Sequence, residues 1–165
     1  MALQILDDIQ ISQKLRRIAF EIYENNYDEQ QIVFAGIDDK GYEVASLIAH
    51  HLHQISPLSS QLVRVSLDKS NPVGTPVQLD TELKNLEGKC IVLVDDVLNT
   101  GRTLVYGMKP FLSIAIKKME IAVLVNRSHT HFPVYATYSG YELSTSLTEH
   151  IDVVLEKDKN AVYLN

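Results

Sequence analysis

The residues best suited to chemistry lie in the middle of the chain, where two adjacent carboxylates follow an apolar run. Asp95 and Asp96 come directly after residues 90–94, which are continuously apolar. Such a run is typical of a strand that is covered on both faces of a parallel sheet, and ligands of open α/β sheets bind at the carboxyl ends of their strands. Two neighbouring acids can accept hydrogen bonds from vicinal hydroxyls or from water held by a magnesium ion. The pattern predicts a site for a sugar diol.

The segment after the acid pair has the composition of a turn that binds phosphate. Asn99, Thr100, Gly101, Arg102 and Thr103 supply two hydroxyls, a tight turn and successive backbone N–H groups at the start of a helix. Backbone N–H groups in this arrangement bind phosphate. An isolated acid pair more often only ends a strand, but here the strand, the acids and the turn occur in register. A diol site beside a phosphate site describes a ribose 5-phosphate.

Other phosphate motifs are missing from the sequence. It contains neither G-x-x-x-x-G-K-[ST] nor G-x-G-x-x-G, which are the signatures of P-loop and dinucleotide-binding sites. This argues against a P-loop kinase and against a dinucleotide-dependent dehydrogenase.

The elements that must position these residues alternate between strand and helix. Apolar residues at a spacing of 3.6 predict a first helix that begins after Asp7 and Asp8 and ends near residues 25–26. Strands are predicted over 32–35, 62–67, 90–94 and 121–125, and further helices after Gly41 and from Thr103 to Lys109. The alternation predicts a doubly wound, mostly parallel α/β sheet. Short β-like segments at 134–138, 151–155 and 161–164 predict a small appended hood.

The segment 68–78 is predicted to be a mobile loop. It carries Pro72, Gly74 and Pro76, and such a density of helix and strand breakers is typical of loops. Loops of this length are often functional.

Composition places the chain among small globular proteins. Its 165 residues are 45% hydrophobic and 22% charged, which predicts one domain over residues 1–165. Fifteen basic and 21 acidic residues give a net charge of −6, so a diffuse basic surface for nucleic acid is excluded. The single cysteine, Cys90, excludes an internal disulfide. With no leader-like segment and no long apolar run, we expect a cytoplasmic protein that does not contact a membrane.

The segment 92–103 resembles the phosphoribosyl pyrophosphate (PRPP) binding motif of the type I phosphoribosyltransferases. Within that superfamily, nearly the whole chain is similar to the pyrimidine operon regulators of the PyrR group, which are transcription attenuators and uracil phosphoribosyltransferases. The closer match is carried by residues 5–8, 17–19, 21–22, 36–37, 41, 95–102, 122–125, 127, 129, 133, 138–140 and 144–146.

The resemblance implies roles for the central segment. Asp95 and Asp96 would contact the ribose hydroxyls as catalytic residues and hold Mg²⁺, directly or through water. Residues 99–103 would bind the 5-phosphate. Lys69 would replace the arginine of the family's flexible catalytic loop, which here corresponds to 68–78 and closes over PRPP.

The resemblance also assigns a pyrophosphate loop to residues 36–41, in which Asp39, Lys40 and Gly41 would bind the leaving group. The family usually carries a threonine and an arginine where this chain has Asp39 and Lys40. Lysine keeps the charge but lacks the two-pronged geometry of a guanidinium. Asp38 and Asp39 would repel pyrophosphate unless magnesium intervenes.

The base would be selected by a hood at about 126–150, with Asn126, Arg127 and Ser139 as base-binding residues. Asn126 stands where the uracil-using regulators usually carry an aspartate. Identity of the base is therefore less well defined by the sequence than binding of PRPP.

Three functions follow as hypotheses. The first is a magnesium-dependent transfer of ribose 5-phosphate from PRPP to a pyrimidine, with uracil as the expected base. The second is an attenuator that binds a specific RNA leader through Lys14, Arg16 and Arg17 on the first helix. The third is a catalytically weak regulator that binds PRPP or a nucleotide. By resemblance we also expect a homo-oligomer, in particular a dimer.

Overall fold

A computed structural model describes residues 1–165 and contains nine strands and three α-helices. In chain order they are β1 (Leu3–Leu6), α1 (Asp8–Asn26), β2 (Gln31–Ile37), α2 (Asp38–Ile55), β3 (Ser59–Ser66), β4 (Gln78–Leu79), β5 (Cys90–Leu98), α3 (Arg102–Met108), β6 (Lys118–Asn126), β7 (Tyr138–Glu142), β8 (Ile151–Val154) and β9 (Ala161–Leu164). Short 3₁₀ helices cover Leu83–Leu86 and Lys109–Ser113. No helix has both the length and the apolar character needed to cross a membrane.

Six strands form the main sheet in the order β4-β3-β2-β5-β6-β7. Neighbouring strands are parallel except for β4, which pairs antiparallel with the end of β3. The predicted doubly wound α/β fold is confirmed. Connections leave β2 toward β3 and return on the other side to β5 and β6, so the topological switch point lies between β2 and β5. Ligands bind at this point in folds of this type.

The central strands bury side chains on both faces because helices cover both faces. Phe34 and Val92 point into a cluster with α1 and α2, whereas Leu93 points into a second cluster with Leu104 and Phe111. Successive side chains of a strand alternate between the faces, which explains why β2 and β5 read as continuous apolar runs.

Helix α1 begins and ends where its sequence predicts. The Asp7 carboxylate accepts a hydrogen bond from the Gln10 backbone N–H, and the Gln10 side chain accepts one from the Asp7 N–H. This reciprocal cap satisfies two N–H groups that a helix start would otherwise leave unpaired. The buried stripe of the helix includes Ile11, Leu15 and Ile18.

Helix α2 begins earlier than the sequence predicts. It starts at Asp38, immediately after β2, so the predicted loop over 36–41 is instead a sharp strand-to-helix junction. Asp38 takes a left-handed backbone conformation with a φ of 51°, which aspartate adopts more readily than most residues. The side chain of Asp38 accepts a hydrogen bond from the Leu67 N–H at 3.4 Å. The junction is thereby linked to the loop that follows β3.

The hood differs from its predicted position. Instead of covering about 126–150, the second sheet is three-stranded and antiparallel, in the order β1-β9-β8. Segments 151–155 and 161–164 were correctly predicted as strands, while β1 was not predicted because its partner lies at the other end of the chain. The predicted strand over 134–138 begins only at Tyr138, because residues 127–137 form a connection that packs against the start of α3.

Candidate active site

A cavity of about 340 Å³ opens at the carboxyl end of β5, beside the switch point of the main sheet. It brings together the predicted acids, the predicted phosphate turn, Lys40 and Lys69, together with three residues of the hood that the sequence did not indicate. Its lining consists of Lys40, Lys69, residues 95–104, His150, Ile151 and Asp152. The volume is within the usual range of small-molecule sites.

The acid pair forms the buried floor of this cavity. Asp95 is 2% and Asp96 9% exposed, because both still belong to β5 and α2 packs closely over them. A Cβ atom at Gly41 would lie 2.7 Å from the Val94 carbonyl oxygen and 3.4 Å from Asp95 Oδ1. Only glycine lets the helix approach the strand so closely at this position. Gly41 therefore acts through its lack of a side chain.

Burial raises the affinity of Asp95 for a proton. Its pKa lies well above the ordinary range, first because burial disfavours the carboxylate and second because Asp96 adds a negative charge. The Lys69 ammonium, 3.8 Å from Asp95 Oδ1, acts in the opposite direction. A backbone N–H donated by Asp96 reaches Asp95 Oδ1 at 2.9 Å. Hydroxyl donors or a cation at this floor would relieve the cost of the buried charge.

The phosphate turn is held rigidly in front of α3. Gly101 has a φ of 87°, and a Cβ atom there would lie 2.4 Å from Val134 Cγ2, so the backbone and the neighbouring segment both require glycine. The Thr100 carbonyl oxygen accepts hydrogen bonds from the N–H groups of His131 at 2.7 Å and Phe132 at 3.2 Å. The first helical bond of α3 is donated by Val105 to Gly101. The Arg102 N–H donates to Thr100 Oγ1 at 3.3 Å. The other N–H groups of the first turn of α3 precede its first helical hydrogen bond and remain available to an anion.

Arg127, which the sequence predicts to bind the base, hydrogen-bonds to this turn and does not line the cavity. Its Nε donates to Thr145 Oγ1 at 2.8 Å, Nη1 to Asn99 Oδ1 at 2.9 Å and Nη2 to the Glu149 carbonyl oxygen at 2.8 Å. All three nitrogens are therefore occupied by this chain. The side chain joins the turn to the segment that leads into β8.

The other two predicted base-binding residues also lie outside the cavity. Asn126 donates a hydrogen bond to Glu142 at 3.2 Å and accepts one from the Ser128 N–H at 3.0 Å. The Ser139 Oγ is buried without a partner, and the Ser139 carbonyl oxygen accepts a hydrogen bond from Arg17 at 3.0 Å. In the register of the sheet, Asn126 lies opposite Leu98 at the end of β5. Ser139 lies on β7, level with Asp95 but two strands away.

The predicted pyrophosphate residues separate in the structure. Lys40 lines the cavity, and its Nζ lies 3.3 Å from Oδ1 of Asp152 in the hood. Asp39 does not line the cavity, and its Oδ1 forms an ion pair with Nη1 of Arg64 on β3 at a distance of 2.6 Å. The sequence indicated neither Asp152 nor Arg64. The available signal for Asp152 was a polar residue between the apolar Ile151 and Val153 of a predicted strand.

The donor set suits a divalent cation that arrives with its substrate. No group of three or more His, Cys, Asp or Glu side chains in residues 1–165 could hold a metal ion by itself. Asp95 and Asp96 alone supply carboxylate oxygens at the floor. Magnesium is commonly bound by one or two carboxylates together with water and substrate phosphates, so these two acids fit such an ion.

Comparisons with known proteins agree with this geometry. Residues 1–156 match the family of the phosphoribosyl transferase domain. The chain is 33% identical over 164 residues to the bifunctional protein PyrR of Enterococcus faecalis, covering 96% of this chain and 92% of the relative. It is 35% identical over 159 residues to the bifunctional protein PyrR of Streptococcus pyogenes, covering 94% and 91%.

Solved structures share the fold. The hypoxanthine phosphoribosyltransferase of Trypanosoma cruzi superposes with a TM-score of 0.77 at 14% identity, covering 96% of this chain and 94% of that one. A hypoxanthine-guanine phosphoribosyltransferase of Bacillus anthracis superposes with a TM-score of 0.71 at 17% identity, covering 87% and 83%.

Proposed function

Since the chain belongs to the phosphoribosyl transferase domain family, we propose that it transfers ribose 5-phosphate from PRPP to uracil. The chain is a phosphoribosyltransferase. What we propose is the identity of the base, the use of magnesium and the role of each residue. The observation that carries it is one cavity in which a buried acid pair adjoins a rigid phosphate turn. This arrangement matches a ribose 5-phosphate by shape and by charge.

Binding of PRPP would use both parts of the cavity. The 5-phosphate would accept hydrogen bonds from backbone N–H groups and hydroxyls of residues 99–103, at a position where anions bind well. The ribose hydroxyls would donate to Asp95 and Asp96. These donations would offset the cost of keeping the two carboxylates buried.

The reaction would then depend on position and charge. The bond from ribose C1 to the pyrophosphate oxygen breaks while a ring nitrogen of the base forms a bond to C1, and the base loses a proton. Lys40 and Lys69, which both line the cavity, would stabilise the charge that develops on the leaving group. Asp95 and Asp96 would hold Mg²⁺, directly or through water, and such an ion would supply further neutralising charge. No side-chain nucleophile is needed, and positioning supplies much of the rate.

The base would lie against the hood. Four hydrophobic residues line the cavity. Val97, Leu98 and Leu104 belong to β5 and α3, beside the places proposed for the sugar and the 5-phosphate, whereas Ile151 lies on the wall formed by β8. A planar pyrimidine fits such a wall beside His150. Arg127 would act indirectly, by holding the turn and the segment before β8 together.

A substrate panel tests the proposal. Purified protein with Mg²⁺ and PRPP is incubated with uracil, hypoxanthine, guanine, xanthine or orotate, and nucleotide and pyrophosphate are measured. We expect uridine 5-monophosphate from uracil. Turnover of a purine alone would replace the substrate, and failure with all five bases would contradict the enzymatic function. Calorimetric binding of PRPP without turnover would instead support the catalytically weak regulator.

A second candidate function, binding of an RNA leader, is favoured by the word "bifunctional" in the names of the relatives. Three basic residues of α1 are expected to bind RNA. Of these, Arg17 forms an ion pair with Glu21 at 2.6 Å and donates hydrogen bonds to two carbonyl oxygens of β7. Lys14 lies 5.2 Å from the Tyr141 ring centroid, and Arg16 lies over Phe20. A gel shift with a pyrimidine-operon leader, with and without uridine monophosphate, tests this role. No shift at low salt would remove it.

Two further features belong to the proposal. The buried free thiol of Cys90 is typical of a reducing compartment, and we place the protein in the cytoplasm. Self-association into a dimer is proposed by analogy with the superfamily. Light scattering of the purified protein measures it directly.

A further inference from the structure

We propose that Arg64 is a positioning residue for pyrophosphate, because it cancels the charge of Asp39 next to the place where the leaving group binds. This inference rests on the proposed function. It concerns a side chain that lies on β3, outside the cavity lining, and that the sequence motif does not include.

The geometry around Arg64 joins β3 to the first turn of α2. Its Nη1 donates to Asp39 Oδ1 at 2.6 Å and to the Asp38 carbonyl oxygen at 3.5 Å. The guanidinium carbon lies 4.2 Å from the centroid of the Tyr42 ring, within the range of a cation–π contact. The Arg64 backbone N–H donates to Asp80 Oδ1 at 2.9 Å, which also ties this part of β3 to the residue after β4.

The charge balance of the junction explains why this contact matters. Asp39 is adjacent to Lys40, which lines the cavity, and it lies two residues before Gly41, which packs on Asp95. The Asp39 side chain is fully exposed. Left alone, its negative charge would oppose binding of a polyanion through the surrounding water. An arginine fixed beside it makes the pair neutral, so that Asp38, Asp39, Lys40 and Arg64 together carry no net charge.

The neutralised pair also resolves the apparent conflict in the sequence, where an acid occupies the position expected to favour pyrophosphate. The negative charge of Asp39 is cancelled by an arginine that the neighbouring strand supplies. Because the ion pair is open to solvent, it adds little to folding stability. Its effect is on the electrostatic potential at the junction, and that potential depends on salt.

Four variants of the Arg64–Asp39 pair test the inference. R64Q removes the cation, D39N removes the acid, R64Q/D39N removes both, and R64K keeps the charge while losing the planar group. R16Q is the matched control, since Arg16 also lies over an aromatic ring, Phe20, but on α1. KM for PRPP and kcat are measured with Mg²⁺ and uracil at low and high salt. Thermal melts establish that each variant is folded.

We expect R64Q to raise KM for PRPP about fivefold at low salt with kcat nearly unchanged, as one unit charge acting through water at short range would do. The increase should shrink below about twofold near 1 M salt, where the screening length falls to about 3 Å. D39N in the R64Q background should restore KM to within about twofold of wild type. R64K and R16Q should remain close to wild type.

Two results would overturn the inference. If D39N fails to restore the R64Q variant, Arg64 acts by packing on Tyr42, and if R64Q leaves KM unchanged, Arg64 has no role in binding. Calorimetric titration of the same proteins with pyrophosphate and Mg²⁺ separates this inference from the proposed function. If the variants bind pyrophosphate in the expected order but no protein turns over substrate, only the proposed function is contradicted. If the wild type does not bind pyrophosphate, both the proposed function and the role of Arg64 are contradicted.

Discussion

The two regions that flank the acid pair are held in place by different interactions. The turn over residues 99–103 is fixed by a glycine at a φ of 87° and by backbone hydrogen bonds such as His131 N–H to the Thr100 carbonyl, at 2.7 Å. The backbone of the first turn of α2 is likewise fixed, at Asp38 and Gly41, but its charged side chains form two ion pairs that water reaches, Lys40 with Asp152 and Arg64 with Asp39. Backbone geometry therefore defines the groups that the first region offers to an anion, and charge defines those of the second.

This difference corresponds to the proposed fates of the two phosphate groups. The 5-phosphate stays on the sugar from substrate to product, so a rigid turn can hold it throughout. Pyrophosphate must leave, and a region whose cation already has an internal acid partner can release it without leaving a bare charge. Four substitutions, taken from the largest expected effect to the smallest, test this contrast.

The acid between the two regions is the strictest test, because both act on a sugar held by Asp95. Asp95→Asn should lower kcat/KM about a hundredfold, as loss of a buried electrostatic contact to the reacting group does. The same substitution should stabilise the fold at neutral pH. Burial raises the pKa of Asp95 in the folded state above its value in the unfolded chain. The wild type therefore loses folding stability as the pH rises from the ordinary aspartate range through the raised pKa. Asparagine does not titrate, so the variant does not lose this stability.

Melting temperatures between pH 4 and pH 8 measure this effect. Near pH 4 the wild type and the asparagine variant should melt at the same temperature. At pH 8 the variant should melt higher, by about 2–4 °C for each kcal/mol of folding stability that the buried charge costs the wild type. Asp28→Asn, at an exposed acid far from the cavity, is the control. A variant that melts below wild type at pH 8 would show that ionised Asp95 stabilises the fold.

Gly101→Ala should break the rigid region. The backbone strain and the clash with Val134 together should raise KM for PRPP about thirtyfold, within the range of a few kcal/mol stored at a strained residue. Gly88→Ala is a close control, because Gly88 also has a positive φ, of 70°, but nothing lies within 4 Å of its added Cβ. Equal effects on PRPP binding in both variants would contradict the importance of the turn.

Arg127→Lys should loosen the same region by a smaller amount. Lysine keeps the charge but cannot make the three directed contacts to Thr145, Asn99 and Glu149. We expect KM for PRPP to rise about tenfold, equally at low and high salt, because geometry and not net charge is lost. Arg16→Lys serves as the control on α1. If the rise in KM depends on salt, Arg127 acts through its charge, as the ion pairs at the first turn of α2 do.

Asp152→Asn should have the smallest effect and the opposite sign. Without its acid partner, Lys40 is free to bind the leaving group, so KM for PRPP should fall about two- to threefold at low salt. The gain should disappear at high salt. Glu156→Gln removes another acid near β8 that does not pair with Lys40 and should leave KM unchanged. An increase in KM on Asp152→Asn would show that the pair supports binding.

The sequence predicts those parts of the site that are contiguous in the chain. The acids and the phosphate turn occupy one strand and the residues after it, so their composition and spacing already define a shape. The ion pairs join residues that lie far apart in sequence, 112 positions for Lys40 and Asp152 and 25 for Arg64 and Asp39. No local pattern specifies such pairs, since the sheet order and the position of the hood bring them together.

The same reason explains what was right and wrong about the fold. Alternating strands and helices, each with its own periodicity, predict the doubly wound sheet. Strand β1 is only four residues long and pairs with β9 near the other end of the chain, so its sequence does not indicate its partner. Arg127 was predicted to bind the base, and only the structure shows that its guanidinium is hydrogen-bonded within the chain.

The hood is built from the two strands most distant in sequence, with Leu3 opposite Leu164. Closing the chain over such a separation carries a large entropy cost, so local and medium-range contacts of the main sheet form first. The wall that carries Asp152 depends less on this closure, because β8 and β9 pair as a local hairpin with Val154 opposite Ala161. We therefore expect the pairing of β1 with β9 to open before the main sheet does, and amide protons of β1 to exchange with solvent earlier than those of β5.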